Sequence, residues 1–300
     1  MSIRAGHAPA PRPGRRELIG VGALYLAVLV ATVVTYARIP SEDLYNVSVD
    51  GLAGGLGRGL VELNFPDALI AVPLALIAVD VLRTPWAFGV GAVAIAASLV
   101  TVVPGVVDQG DLDARPVNAI PAAGVVATVV LLVAALPRLT RATPRLPGDP
   151  ARAVLVVLLA VGVVPYVFAE LGFYAPDPLL ADEPSPHEDI AAVHYGSHEG
   201  MDGALLALAA LALSRLTPWF TGKRAAAVTS ALLAFLLAYG FGNLLEDDWL
   251  EQVVKRGWTE HAIPSVVRPQ LSVAWLLIAA AAVAVELLWF RRERRAASRP

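Results

Sequence analysis

Eight stretches of the chain are apolar almost without interruption, near residues 18–37, 67–82, 86–104, 118–136, 152–170, 201–214, 225–243 and 271–290. Runs of about 17–25 residues can cross a bilayer as helices. The pattern therefore predicts an all-α integral membrane protein with about eight transmembrane helices. It divides the chain into a basic tail over 1–17, one polytopic membrane domain over 18–290 and a second basic tail over 291–300. The sixth stretch is short, and the polar residues before it are expected to continue the same helix. The first is longer than a typical signal-peptide core and has no clear small-residue cleavage site, so it is read as a retained span.

Composition agrees with the pattern. The chain is 57% hydrophobic and 16% charged, against about 25% charged in soluble domains, and its mean hydropathy is +0.64. A net charge of −3 gives no footprint for a nucleic-acid partner. The chain has no cysteine, which excludes disulfides, iron–sulfur clusters, thiolate zinc sites and cysteine nucleophiles. The lipid bilayer is the one partner the sequence specifies.

Charge sets the expected orientation. With both termini cytoplasmic, 17 of the 23 basic residues fall in inside segments, as the positive-inside rule requires. The expected location is the cytoplasmic (inner) membrane, multi-pass. The acids run the other way: 21 of 26 fall in outer loops or at outer helix ends. Asp80 is read as an ion pair with Arg83, and Glu286 as a snorkelling neighbour of Arg291 and Arg292.

Among the outer segments, Leu52, Leu56, Leu60 and Leu63 recur at helical spacing and predict a short helix lying in the interface. The glycines of "GGLGRG" have no preceding strand and no following Lys-Ser/Thr, so nucleotide binding is rejected and close helix packing preferred. Asp108, Asp111 and Asp113 stop short of a calcium loop. Leu245, Trp249 and Val253 form one stripe with Glu246, Asp247, Asp248 and Glu251 elsewhere, predicting an amphipathic surface helix anchored by Trp249 and Trp258.

The richest chemistry lies in "HEDIAAVHYGSHEGMDG", residues 187–203. Ser185, Pro186 and Glu188 form a capping-box pattern, so a helix is expected to start there and run into the sixth span. His194 and His198 stand one turn apart, a spacing at which two imidazoles can share a metal ion. Asp202, a further turn on, could be a third ligand or the acceptor that orients an imidazole. His187, His194, His198 and Asp202 fall within a sector of about 80°, and Gly196, Gly200 and Gly203 share the opposite side. Glu170, after the expected kink at Pro165, is the candidate general base, with Glu246, Asp247 and Asp248 next. Interfacial histidines and solvated acids are the plain alternative.

The His194/His198 spacing resembles that of the alkaline ceramidase and adiponectin-receptor zinc hydrolases, but the chain shares only that spacing, and no family is assigned. It has a single His cluster, unlike the desaturases, and neither a rhomboid Gly-x-Ser-Gly elbow nor a prenyl-protease Glu-Glu pair. The expected function is a metal-dependent enzyme using a divalent transition metal such as zinc on a lipid or envelope substrate. The alternatives are a transporter or permease, and a non-catalytic scaffold or sensor. Against ion coupling stands the near absence of charge in the middle of the spans.

Overall fold

The computed structural model describes residues 12–44, 46–108, 110–141, 143–170, 199–255 and 257–297, with backbone alone at 168–170. Nearly all of this is helix: α1 (Arg15–Arg38), α2 (Gly51–Glu62), α3 (Asp67–Leu82), α4 (Pro85–Ser98), α5 (Ala119–Ala135), α6 (Asp149–Gly162), α7 (Val164–Glu170), α8 (Glu199–Ser214), α9 (Lys223–Trp249), α10 (Val273–Val285) and α11 (Arg291–Ala297). The described strands are two residues each, β1 (Arg12–Pro13) pairing in parallel with β2 (Leu139–Thr140).

Among the described residues, six helical stretches are long and apolar enough to cross a membrane, or seven if α2 and α3, bent by 49° at their junction, are one broken span. Six of the eight expected runs correspond to them. The run near 67–82 is the second half of the bent pair. The run near 152–170 is split into α6 and α7, as the missing N–H of Pro165 leads one to expect.

At the centre stands α8, with 83% of its span buried. A sixteen-residue helix with alanine and leucine on every side can only be a core helix, and α1, α3, α6, α7 and α9 surround it. Its closest neighbour is α9. A Cβ placed on Gly240 would lie 2.2 Å from the Gly203 carbonyl oxygen, and one on Gly203 would lie 2.6 Å from that of Gly240. The two backbones touch through paired glycines, the small-residue contact that lipid-embedded helices favour.

The interfacial helix expected around Leu52–Leu63 is instead α2, running antiparallel along the last turns of α1. Its glycines decide this: Cβ atoms at Gly55 and Gly59 would meet the Val33 carbonyl oxygen at 2.4 Å and the Val33 side chain at 2.6 Å. Leu52 and Leu56 remain exposed on the opposite face. At the acidic end, the Ser41 N–H donates to Asp50 at 2.6 Å and holds that carboxyl below its usual range. The amphipathic surface helix expected around 245–253 is also not separate. It is the end of α9, which runs unbroken into a wider turn ending at Val254. Leu245 stays exposed while Glu246, Asp247 and Glu251 are buried.

The arginine-rich ends of the helices are joined by ion pairs that sequence spacing did not predict. Asp80 pairs with Arg12 at 2.6 Å rather than with Arg83, and also accepts the Thr221 N–H ahead of α9. Glu286 pairs with Arg294 at 2.6 Å rather than with Arg291 or Arg292, and accepts the Ser230 hydroxyl. Arg152 and Glu293, both 5% exposed, meet at 2.6 Å.

Candidate functional site

The break between α2 and α3 is where polar chemistry enters the apolar bundle. Four residues, Leu63 to Pro66, separate the two helices, and Asn64 holds the gap. Its side chain donates to the Leu60 and Asn118 carbonyls at 2.9 and 3.0 Å and accepts from the Asn118 amide at 3.0 Å. Its own carbonyl accepts the Thr101 hydroxyl at 2.7 Å. Irregular backbone persists within a bilayer only where protein satisfies it in this way.

The break is flanked by two acids. Glu62 ends α2 and Asp67 begins α3; they are 0% and 5% exposed. Arg58, one turn before Glu62, pairs with it at 3.2 Å and lies over the Tyr36 ring, 5.4 Å from its centroid. From α8, the Asp202 side chain is buried in the same bundle, 5% exposed. From α1, the Tyr25 hydroxyl is buried without a hydrogen-bond partner. Tyr239 of α9 feels Glu199 and Asp202, and its hydroxyl donates to the Val267 carbonyl at 2.8 Å.

This cluster is deep. At 1.5 Å per residue, Tyr25 lies about 15 Å along α1 from Arg15, and Glu62 about 16 Å along α2 from Gly51. Asp202 lies about 18 Å along α8 from Ser214. Acids thus lie within the helical bundle itself, and not only at its outer surface. Three acids from three helices, one of them outside the apolar runs counted in the sequence, are buried inside the bundle.

The chemistry follows from charge. Among the described residues, Arg58 is the cation ion-paired with these acids. Each carboxyl ionised at this depth costs several kcal/mol unless it is paired.

Nearer the acidic end, a second group of acids joins α7, α8 and α9. The Gly200 N–H donates to Asp247 at 2.9 Å, and the Tyr166 hydroxyl to Asp248 at 2.8 Å. Glu251 pairs with Lys255 at 2.9 Å. The expected packing face of Gly200 and Gly203 is used here against α9; Gly196 lies outside the described residues.

The expected metal site is divided by the same limit. His187, His194 and His198, with the capping residues before them, lie outside the described residues, and the Glu170 side chain is not described. Asp202 is described and is buried in the bundle. No group of three or more His, Asp or Glu among the described residues could hold a metal ion.

No family model, curated protein or solved structure matches the chain. The functional reading therefore rests on the cluster.

Proposed function

We propose that the protein is a multi-pass carrier of the cytoplasmic membrane that takes a small cation into its interior, with the arginine-rich end toward the cytoplasm. One observation carries this: Glu62 and Asp67, at the break of a bent span, and Asp202 of α8 are all buried in the bundle, with Arg58 paired to Glu62. Ionisable groups at this depth cost free energy and mark ion pathways. Transporters place such groups at discontinuous helices.

Proteoliposomes test it. Vesicles holding the full chain should dissipate an imposed proton, sodium or potassium gradient faster than empty vesicles. Glu62→Gln and Asp202→Asn should each reduce that flux by at least about 100-fold, the scale of a lost proton-transfer group. Asp113→Asn, which removes a loop carboxylate bonded to Ser48, should leave it unchanged. Vesicles that hold all three gradients as tightly as empty ones would sink the carrier reading.

The metal-dependent enzyme, acting on a lipid or envelope substrate through His194, His198, Asp202 and Glu170, is separated from the carrier by metal analysis. Near-stoichiometric metal in the purified protein, lost in His194→Ala/His198→Ala, would replace the carrier with the enzyme.

A further inference from the structure

We propose that the arginine-rich end of the bundle binds anionic phospholipid, with a headgroup phosphate held between Arg83 and Arg138 at the turn joining α3 to α4 and an acyl chain lying against Trp86 and Phe88. Such binding is independent of what the protein carries.

Charge complementarity points to the lipid. Each acid at this end already has its arginine: Asp80 pairs with Arg12, Glu17 with Arg215, Asp149 with Arg152 and Arg215, Glu286 with Arg294, and Glu293 with Arg152. Other cations are left over on the surface. Arg16, Arg83, Arg138, Arg224, Arg291 and Arg292 are exposed, and none is ion-paired among the described residues. Their counter-charge comes from outside the chain. Basic residues beside an apolar surface draw anionic lipid in this way. The neighbours of these cations favour a lipid over a soluble acidic partner. Exposed apolar side chains stand within one turn of them: Ile19 after Arg16, Val228 after Arg224, and Leu287 and Leu288 before Arg291 and Arg292. A cation with apolar surface one turn away matches a phospholipid along its length, headgroup first and acyl chain next. A soluble acid would use only the first half.

The turn from α3 to α4 is where two of these cations converge. Arg83 caps the end of α3. Arg138, just past α5, donates to the Leu82 carbonyl at 2.7 Å, so its guanidinium sits on the peptide bond that precedes Arg83. Trp86 and Phe88, on the first turn of α4, are exposed beside them. A tryptophan at this level is the usual anchor between headgroups and hydrocarbon. The backbone adds a second observation. Arg83 has a φ of 51°, the left-handed conformation in which glycine at a helix end costs least. The chain forgoes that saving and places a guanidinium there.

Native mass spectrometry of the full chain, released from detergent micelles titrated with phosphatidylglycerol or phosphatidylcholine, tests this without transport. The wild type should bind its first phosphatidylglycerol about 25-fold more tightly than phosphatidylcholine, roughly 5-fold for each of two cations beside an anionic charge. Arg83→Gly should lower that preference about 5-fold while melting no lower than the wild type, because glycine suits the backbone there. Arg138→Gln should lower it by a similar factor. Arg268→Gln removes a cation at the acidic end that is already paired with Asp108, and should leave the preference unchanged. Trp86→Ala should weaken both lipids alike. Equal binding of the two lipids by the wild type would overturn the proposal, as would a preference that survives both Arg83→Gly and Arg138→Gln. Displacement of phosphatidylglycerol by an equal concentration of inorganic phosphate would overturn the lipid and leave an anion site. Unchanged binding of both lipids in Trp86→Ala would overturn the place given to the acyl chain.

Discussion

Arg152→Ala should destabilise the protein by about 3–5 kcal/mol, the cost of stranding the other half of a buried ion pair. Arg152 sits on the first turn of α6. It donates to Glu293 at 3.0 and 2.6 Å and to Ser214 at 3.2 and 3.0 Å, and it reaches the Leu211 carbonyl at 3.2 Å. Its guanidinium also lies 5.0 Å from the Trp289 ring centroid. Removing it leaves the Glu293 carboxylate buried, with the Gly148 N–H at 2.7 Å and no guanidinium. Arg152→Ala/Glu293→Ala should recover most of the loss, because the penalty belongs to the unpaired charge. Arg152→Lys should recover little, since an ammonium cannot reproduce the planar fork. Thermal unfolding in detergent measures all three. A single mutant that loses no more than about 0.5 kcal/mol, the scale of an exposed surface change, would contradict the burial of this pair.

Gly240→Val should cost about 3 kcal/mol, at the upper end of overpacking penalties. Even its Cβ would lie 2.2 Å from one backbone atom of α8, the Gly203 oxygen, and 2.9 Å from another, the Ala207 nitrogen. Neither can move without pulling the central helix from its partner. Gly242→Ala is the matched control two residues on: its Cβ would meet only the Ile278 side chain, at 2.8 Å. That chain can change rotamer, so the loss should stay under about 1 kcal/mol. The melting temperatures of the two variants compare them directly. Equal losses would mean that α8 and α9 are not held by backbone contact.

Much of the fold was legible in the sequence because lipid imposes one rule, an uninterrupted apolar run, and the chain obeys it in most places. The places it did not are those where protein takes over from lipid. Residues 51–62 are too rich in glycine and too short to register as a span, and only the close contact of Gly55 and Gly59 with α1 reveals their role. The signal for the site was present in "ELNFPD", residues 62–67: two acids flanking a polar residue and a proline between a helical stripe and an apolar run. Read as a loop it was unremarkable, because nothing local says that Asn64 bonds to Asn118, 54 positions on. Asp202 was singled out for its place on the histidine face. Its burial in the bundle beside α9, against which Gly203 packs, leaves no periodicity to find. The ion pairs of Asp80 and Glu286 went to distant or later arginines for the same reason: nearness in sequence is a poor guide once helices pack side by side.

The brevity of α2 bears on how the chain enters the membrane during synthesis. Twelve residues reach about 18 Å, well short of a hydrocarbon core of about 30 Å, and they carry Arg58 and Glu62, each of which is penalised on insertion. Such a segment has no stable place in lipid by itself. It needs the groove of α1 for its glycines, and the break that follows it needs Asn118 to bond Asn64. Its settling must therefore wait for a segment made 54 residues after Asn64.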